Sequence, residues 1–254
     1  MATSNTLLLN IKREIIENRK KILLSVGTLW GICIFMGGYF GFYHRGGGFS
    51  EVFIFSLVLV LSGYVYASTM FSDMTRKESR IATLMLPASS FDKFITRWIA
   101  VVPVLFGILV AGFYLGDIAR VVVNNIVSDP VNGSYAHIMN PWNVLLINKA
   151  MPCSWLFYIL SIYFFYQSLF ILGAILWPKR SFLKTIAAIW ILQMILGIFA
   201  ISTLDGINFE EKMMLGDSLN IFAWLGALMC ALTLVAYYLA YLRFKRSQVI
   251  YKLF

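Results

Sequence analysis

Six stretches of this chain, at about residues 22–43, 52–71, 98–116, 153–177, 185–204 and 219–242, are long, apolar and free of ionisable side chains. A helix rising about 1.5 Å per residue needs about 20 residues to cross a hydrocarbon core about 30 Å thick. The expected fold is therefore all-α: a polytopic membrane protein with six transmembrane helices in a single transmembrane domain spanning residues 1–254. The composition agrees, since 60% hydrophobic and 13% charged residues lie outside the range of soluble domains. A transmembrane β-barrel is disfavoured, because its strands would alternate polar and apolar residues whereas these runs are apolar all round.

Charge sets the expected orientation. The net charge is +9, but the basic residues sit at span ends rather than in one patch, which speaks against a nucleic-acid partner. Of the 21 Lys and Arg residues, 17 fall in the segments on one side of a six-span arrangement and 4 on the other. The positive-inside rule then predicts cytoplasmic N- and C-termini, as an even number of spans also requires. The first span is too long for the apolar region of a cleavable signal peptide, so the N-terminus is expected to be retained.

Residues 4–21 place Leu7, Leu8, Ile11 and Ile15 on one helical face and Lys12, Arg13, Glu14, Glu17 and Arg19 largely opposite. That is the pattern of an interfacial amphipathic helix, although an ordinary charged lead-in to the first span has the same residues. Segment 72–97 is the longest predicted cytoplasmic connection. A short helix is expected over about 75–86, ended by Pro87, and Ser89 followed by Asp92 predicts a new helix running into the third span. Ile81, Leu84, Met85 and Leu86 would offer an apolar surface there. Segment 117–152 is the longest predicted extracytoplasmic stretch, rich in turn formers, with Ile118, Val121, Val122 and Ile126 suited to a short helix on the outer surface.

The spans lack the carboxylates, histidines or basic residues that relay charge in ion-coupled transporters, with Glu51, Asp117 and Asp205 falling at span boundaries. Cys33, Cys153 and Cys230 show no CxxC spacing, and His44 and His137 have no ligand partners at metal-site spacing, so neither a disulfide framework nor a bound metal is implied. No GxxxxGK[ST] loop is present, so ATP hydrolysis by that route would need a separate subunit. No nucleophile and base stand at a shared depth, and a membrane-embedded enzyme is the least supported class.

What the spans do hold is neutral and polar. Gln167 and Gln193, about 15 and 12 Å from the inward ends of their helices at the helical rise, suit either hydrogen bonding to each other across a hairpin or contact with a substrate. Ser62, Tyr66 and Thr69 share one face of the second span and suit either a pathway lining or packing against another span. Gly27 with Gly31, and Gly107 with Ala111, are spaced for close helix approach.

The sequence Glu78-Ser-Arg-Ile-Ala-Thr-Leu-Met-Leu-Pro-Ala-Ser89, continuing through Phe91-Asp92-Lys93-Phe94-Ile95-Thr96-Arg97-Trp98, resembles the segment after the second span of ABC-2 type transporter permeases, the transmembrane subunits of bacterial ABC exporters. In that family the segment is the coupling helix that docks on a cytoplasmic ATPase. The resemblance covers about twenty residues, together with the layout of interfacial helix, six spans and inward termini. It implies a coupling role for Glu78, Arg80, Ile81, Leu84, Met85 and Pro87, an ATP-binding-cassette ATPase and a second permease copy or paralogue as partners, ATP and Mg bound only by the ATPase, and a plasma (inner) membrane location. Better-known members carry re-entrant outer helices between the fifth and sixth spans, whereas here the long outward segment joins the third and fourth. The rival expectation is a noncatalytic membrane scaffold or sensor whose inward loop binds another protein or lipid headgroups.

Overall fold

A computed structural model of the chain describes residues 2–43, 49–72, 89–127, 153–177, 179–204 and 218–247. Its elements are α1 (Ala2–Tyr43), α2 (Phe49–Thr69), α3 (Ser90–Ile99), a π-helical turn (Ala100–Val104), α4 (Leu105–Val127), α5 (Cys153–Leu176), α6 (Ser181–Leu204) and α7 (Ser218–Ser247). No strand occurs among the described residues. Helices are what apolar sequence must form in lipid, where every backbone N–H and C=O has to be satisfied within the protein. Among the described residues, four helical stretches are long and apolar enough to cross a membrane: Leu9–Tyr43, Ser90–Val127, Leu156–Leu176 and Phe222–Arg246. Two shorter apolar helical stretches, Ile54–Thr69 and Ser181–Ile195, accompany them. The chain is a multi-pass membrane protein.

Two boundaries differ from expectation. The charged lead-in and the first span form one helix, because residues 2–26 contain no Gly or Pro and nothing interrupts the backbone ladder at residue 21. The helix that carries the predicted third span begins at Ser90, behind Ser89 as expected, but runs on past Gly116 to Val127. A separate surface helix over 118–126 therefore does not exist. Pro103 lies within the π-helical turn, where the Leu105 N–H reaches the Ala100 carbonyl. Widening the helix at this point accommodates a ring that would otherwise crowd the preceding turn.

The chain divides into two compact units: residues 1–63 with 92–148, and residues 64–91 with 149–254. In the first unit α1 and α4 run parallel, since Trp30 donates its indole N–H to the Ile108 carbonyl while, further along both helices, Gly37 meets Gly116 and Gly41 meets Arg120. The buried faces are Leu29, Cys33, Gly37, Phe40 and Gly41 on α1 and Leu105, Leu109, Gly112, Gly116, Asp117, Arg120 and Asn124 on α4, spaced at three and four residues as helical faces require. The approach is close enough that a methyl group at Gly37 would collide with the Gly116 carbonyl oxygen. One at Gly41 would lie 2.6 Å from the Arg120 carbonyl oxygen. Glycine on both sides is the sequence device for such backbone contact in membranes.

The glycines that spacing alone singles out are not at this crossing. Nothing lies within 4 Å of the position a Cβ would take at Gly27, Gly31 or Gly107.

In the second unit α5 and α7 also run parallel, with Tyr158 against Phe222, Phe157 against Gly226 and Ser161 against Cys230. The inward stripe of α7 is Gly226, Thr233, Ala236, Ala240 and Phe244. Helices α5 and α6 form an antiparallel hairpin, in which Gly173 meets Thr185 and Phe170 stacks on Phe182. The connection contains Arg180 at φ 55°, a left-handed conformation that costs a non-glycine residue about 1–2 kcal/mol.

Candidate functional site

The predicted coupling residues Glu78, Arg80, Ile81, Leu84, Met85 and Pro87 lie outside the described residues, as does the expected helix over 75–86. What is described is the arm that leaves this segment. Ser90 opens α3, Asp92 lies in its first turn and Arg97 in its last. The Arg97 Nε stands 3.7 Å from a carboxylate oxygen of Glu14, tying the arm to the charged part of α1.

Among the predicted pathway residues, Ser62 and Thr69 turn back onto their own helix. Ser62 Oγ donates to the Val58 carbonyl at 2.6 Å, and Thr69 Oγ1 donates to the Tyr66 carbonyl at 3.0 Å. Such back-bonding is how hydroxyls are satisfied in an apolar helix. The Tyr66 ring is half-buried. The α2 ring that packs on α5 is that of Tyr64, on the opposite side of the helix from Tyr66. Its ring stacks on Phe170 with centroids 4.9 Å apart and on Tyr163 at 5.9 Å, both at 19° between planes. Tyr166 stands 6.2 Å away.

Gln167 and Gln193 divide differently from the expectation. Gln193 on α6 donates from Nε2 to the Tyr166 hydroxyl at 2.5 Å, so the hairpin bond exists but with the neighbour of Gln167 as acceptor. Gln167 is completely buried within the second unit. Consecutive residues on a helix point about 100° apart, which is why Tyr166 and Gln167 serve different surroundings. The result in this unit is an aromatic cluster of Tyr64, Tyr163, Tyr166 and Phe170 with one fully enclosed amide beside it. Chemically it offers stacking faces and neutral hydrogen-bonding groups.

The first unit holds what the sequence reading missed. Asp117 and Arg120, assigned to a span boundary and an outward loop, both lie inside α4 at 2% exposure. The Arg120 Nε donates to the Asp117 Oδ1 at 2.8 Å, and Asn124, 4% exposed, follows one turn later on the same face. The expectation that the helix ends at Asp117, with Arg120 in an outward loop, is thereby corrected. The signal was present in the spacing, since 117, 120 and 124 share a helical face while 118, 122 and 126 share another. The pair carries no net charge, and guanidinium does not lose its proton in proteins. An ion pair closed three residues apart on one helix is suited to fixing that helix against its neighbour.

No protein-family model, no curated protein and no solved structure matches the chain.

Proposed function

We propose that the chain is the membrane permease subunit of an ATP-binding-cassette transporter, exporting a small or amphiphilic substrate with energy from a separate ATPase. In this reading the chain makes six crossings of a bacterial plasma membrane, with both termini in the cytoplasm, and works beside a second permease copy or paralogue. The observation that carries it is the continuity behind the coupling-type sequence. Residues 78–89 lead into α3, and α3 passes through the π-helical turn into α4 with no intervening loop. A push on the cytoplasmic segment would therefore reach the third span through helix, the rigid-element transmission that domain-coupled switches use. The Glu14–Arg97 contact extends that push to α1.

Two features support the same reading. The buried charge pair is self-neutralising, so the energy source is better sought outside the chain. The Tyr64–Tyr163–Tyr166–Phe170 cluster offers surfaces suited to an amphiphile. Glu78, Arg80, Ile81, Leu84, Met85 and Pro87 take the docking role, and Gln167, Gln193, Ser62, Tyr66 and Thr69 remain candidates for the pathway.

The test is purification from native membranes. An ATP-binding-cassette ATPase is expected to co-purify with the natural chain and to be lost from a Leu84→Asp/Met85→Asp variant that inserts normally. Co-purification unchanged by the double substitution would count against coupling through this segment and favour the scaffold reading.

A further inference from the structure

The C-terminal third of α4 has its polarity inside out. Asp117, Arg120 and Asn124 are 2%, 2% and 4% exposed, whereas Ile118 and Val122 on the other face are 45% and 50% exposed. A helix end standing in water would do the reverse, solvating its charges and covering its branched apolar side chains. Enclosing an Asp and an Arg while presenting isoleucine and valine outward is favourable only where the medium outside is itself apolar.

From this we infer that the third crossing does not end near Gly116 but stays in the acyl-chain region through Val122, so that Asp117–Arg120 is an intramembrane ion pair and Ile118 and Val122 contact lipid tails. Two independent features set the boundary. Asn125, exposed on the same stripe as Ile118 and Val122, is the next residue along that stripe and is polar, as the headgroup level allows. On α1, which runs parallel to α4, Gly41 is level with Arg120, and the last turn exposes Tyr39, Phe42 and Tyr43. Tyrosines at that height form the aromatic belt that marks a membrane–water interface. The pair therefore lies just beneath the headgroups. Its opposite charges neutralise each other, and the glycine face of α1 seals it from lipid on the inner side. This inference is independent of the transporter reading and stands or falls by itself.

Collision measurements on a spin label decide it. In the full-length chain carrying Cys33→Ala, Cys153→Ser and Cys230→Ala and held in lipid nanodiscs, nitroxides are attached at Ile118→Cys and Val122→Cys. Leu234→Cys, at an exposed apolar position of α7, and Lys245→Cys, in its basic last turn, serve as lipid and water references. At 118 and 122, contact with dissolved oxygen is expected to exceed contact with a water-soluble nickel chelate several-fold, as at 234. Nickel contact exceeding oxygen contact, as at 245, would place this face in water and overturn the inference. Suppression of both would mean that a protein surface covers it, and would overturn the inference equally. Should the cysteine-free chain not fold, lysine substitutions in the otherwise natural chain carry the same test. Ile118→Lys and Val122→Lys should reduce the yield of membrane-inserted protein several-fold, while Asn125→Lys should leave it near the natural level. Equal yields for all three would overturn the assignment.

Discussion

Asp117 and Arg120 are three residues apart on one helix, so neither needs a partner from elsewhere to be neutralised, and that makes them tolerable in a buried position. Removing one takes the counter-charge from the other in a buried position, a loss of up to about 3–5 kcal/mol, while removing both exchanges an ion pair for neutral groups at little net cost. Arg120→Gln should therefore sharply reduce the fraction of monodisperse protein in detergent size-exclusion profiles, and Asp117→Asn/Arg120→Gln should recover most of it. A double variant no better than the single would show that self-neutralisation is not what makes the site stable. Arg120, expected in an outward loop, stands instead within α4. Its burial is not legible in an apolar run that stops at the first charge; only the face-by-face pattern beyond Gly116 distinguishes a helix that continues from one that ends.

At the scale of the element, contact between α1 and α4 depends on missing side chains. Gly37→Ala would drive a methyl group into the Gly116 carbonyl and force the helices apart, at about 1–3 kcal/mol for overpacking of a tight site. Gly27→Ala meets nothing and should be neutral or stabilising by up to about 1 kcal/mol through helix propensity. Melting of the two variants in detergent, followed by tryptophan fluorescence, checks the contrast, and equal melting temperatures would contradict the crossing. The π-helical turn at Ala100–Val104 is the other local feature with a consequence. It sits between the charged arm and the apolar span, where Pro103 removes a backbone donor. Under the transporter reading Pro103→Ala should raise thermal stability slightly but lower ATP-driven transport, since a regular helix bends less readily at that turn.

For the whole molecule, the parallel pairs α1–α4 and α5–α7 require a return passage between their members, and α2 and α6 lie at those places in the chain. With its buried pair self-neutralised, the chain reconstituted alone in liposomes should accumulate no amphiphilic solute from an imposed pH or sodium gradient. Solute uptake under either gradient would contradict an external energy source. Helix content, approximate helix positions and membrane residence follow from the sequence because they depend on runs of apolar residues about 20 long, a property of local composition. The Ser89 cap position preceding Ser90 was legible for the same local reason, as was the hairpin bond of Gln193, though not its acceptor. Which GxxxG carries the crossing was not legible, because Gly27–Gly31 and Gly37–Gly41 are the same pattern on one helix and differ only in whether α4 passes beside them. The choice of Tyr64 over Tyr66, and the enclosure of Asp117 and Arg120, were likewise settled by which neighbour lies on which side. Periodicity assigns residues to faces, but only packing in three dimensions decides which face meets protein and which meets lipid.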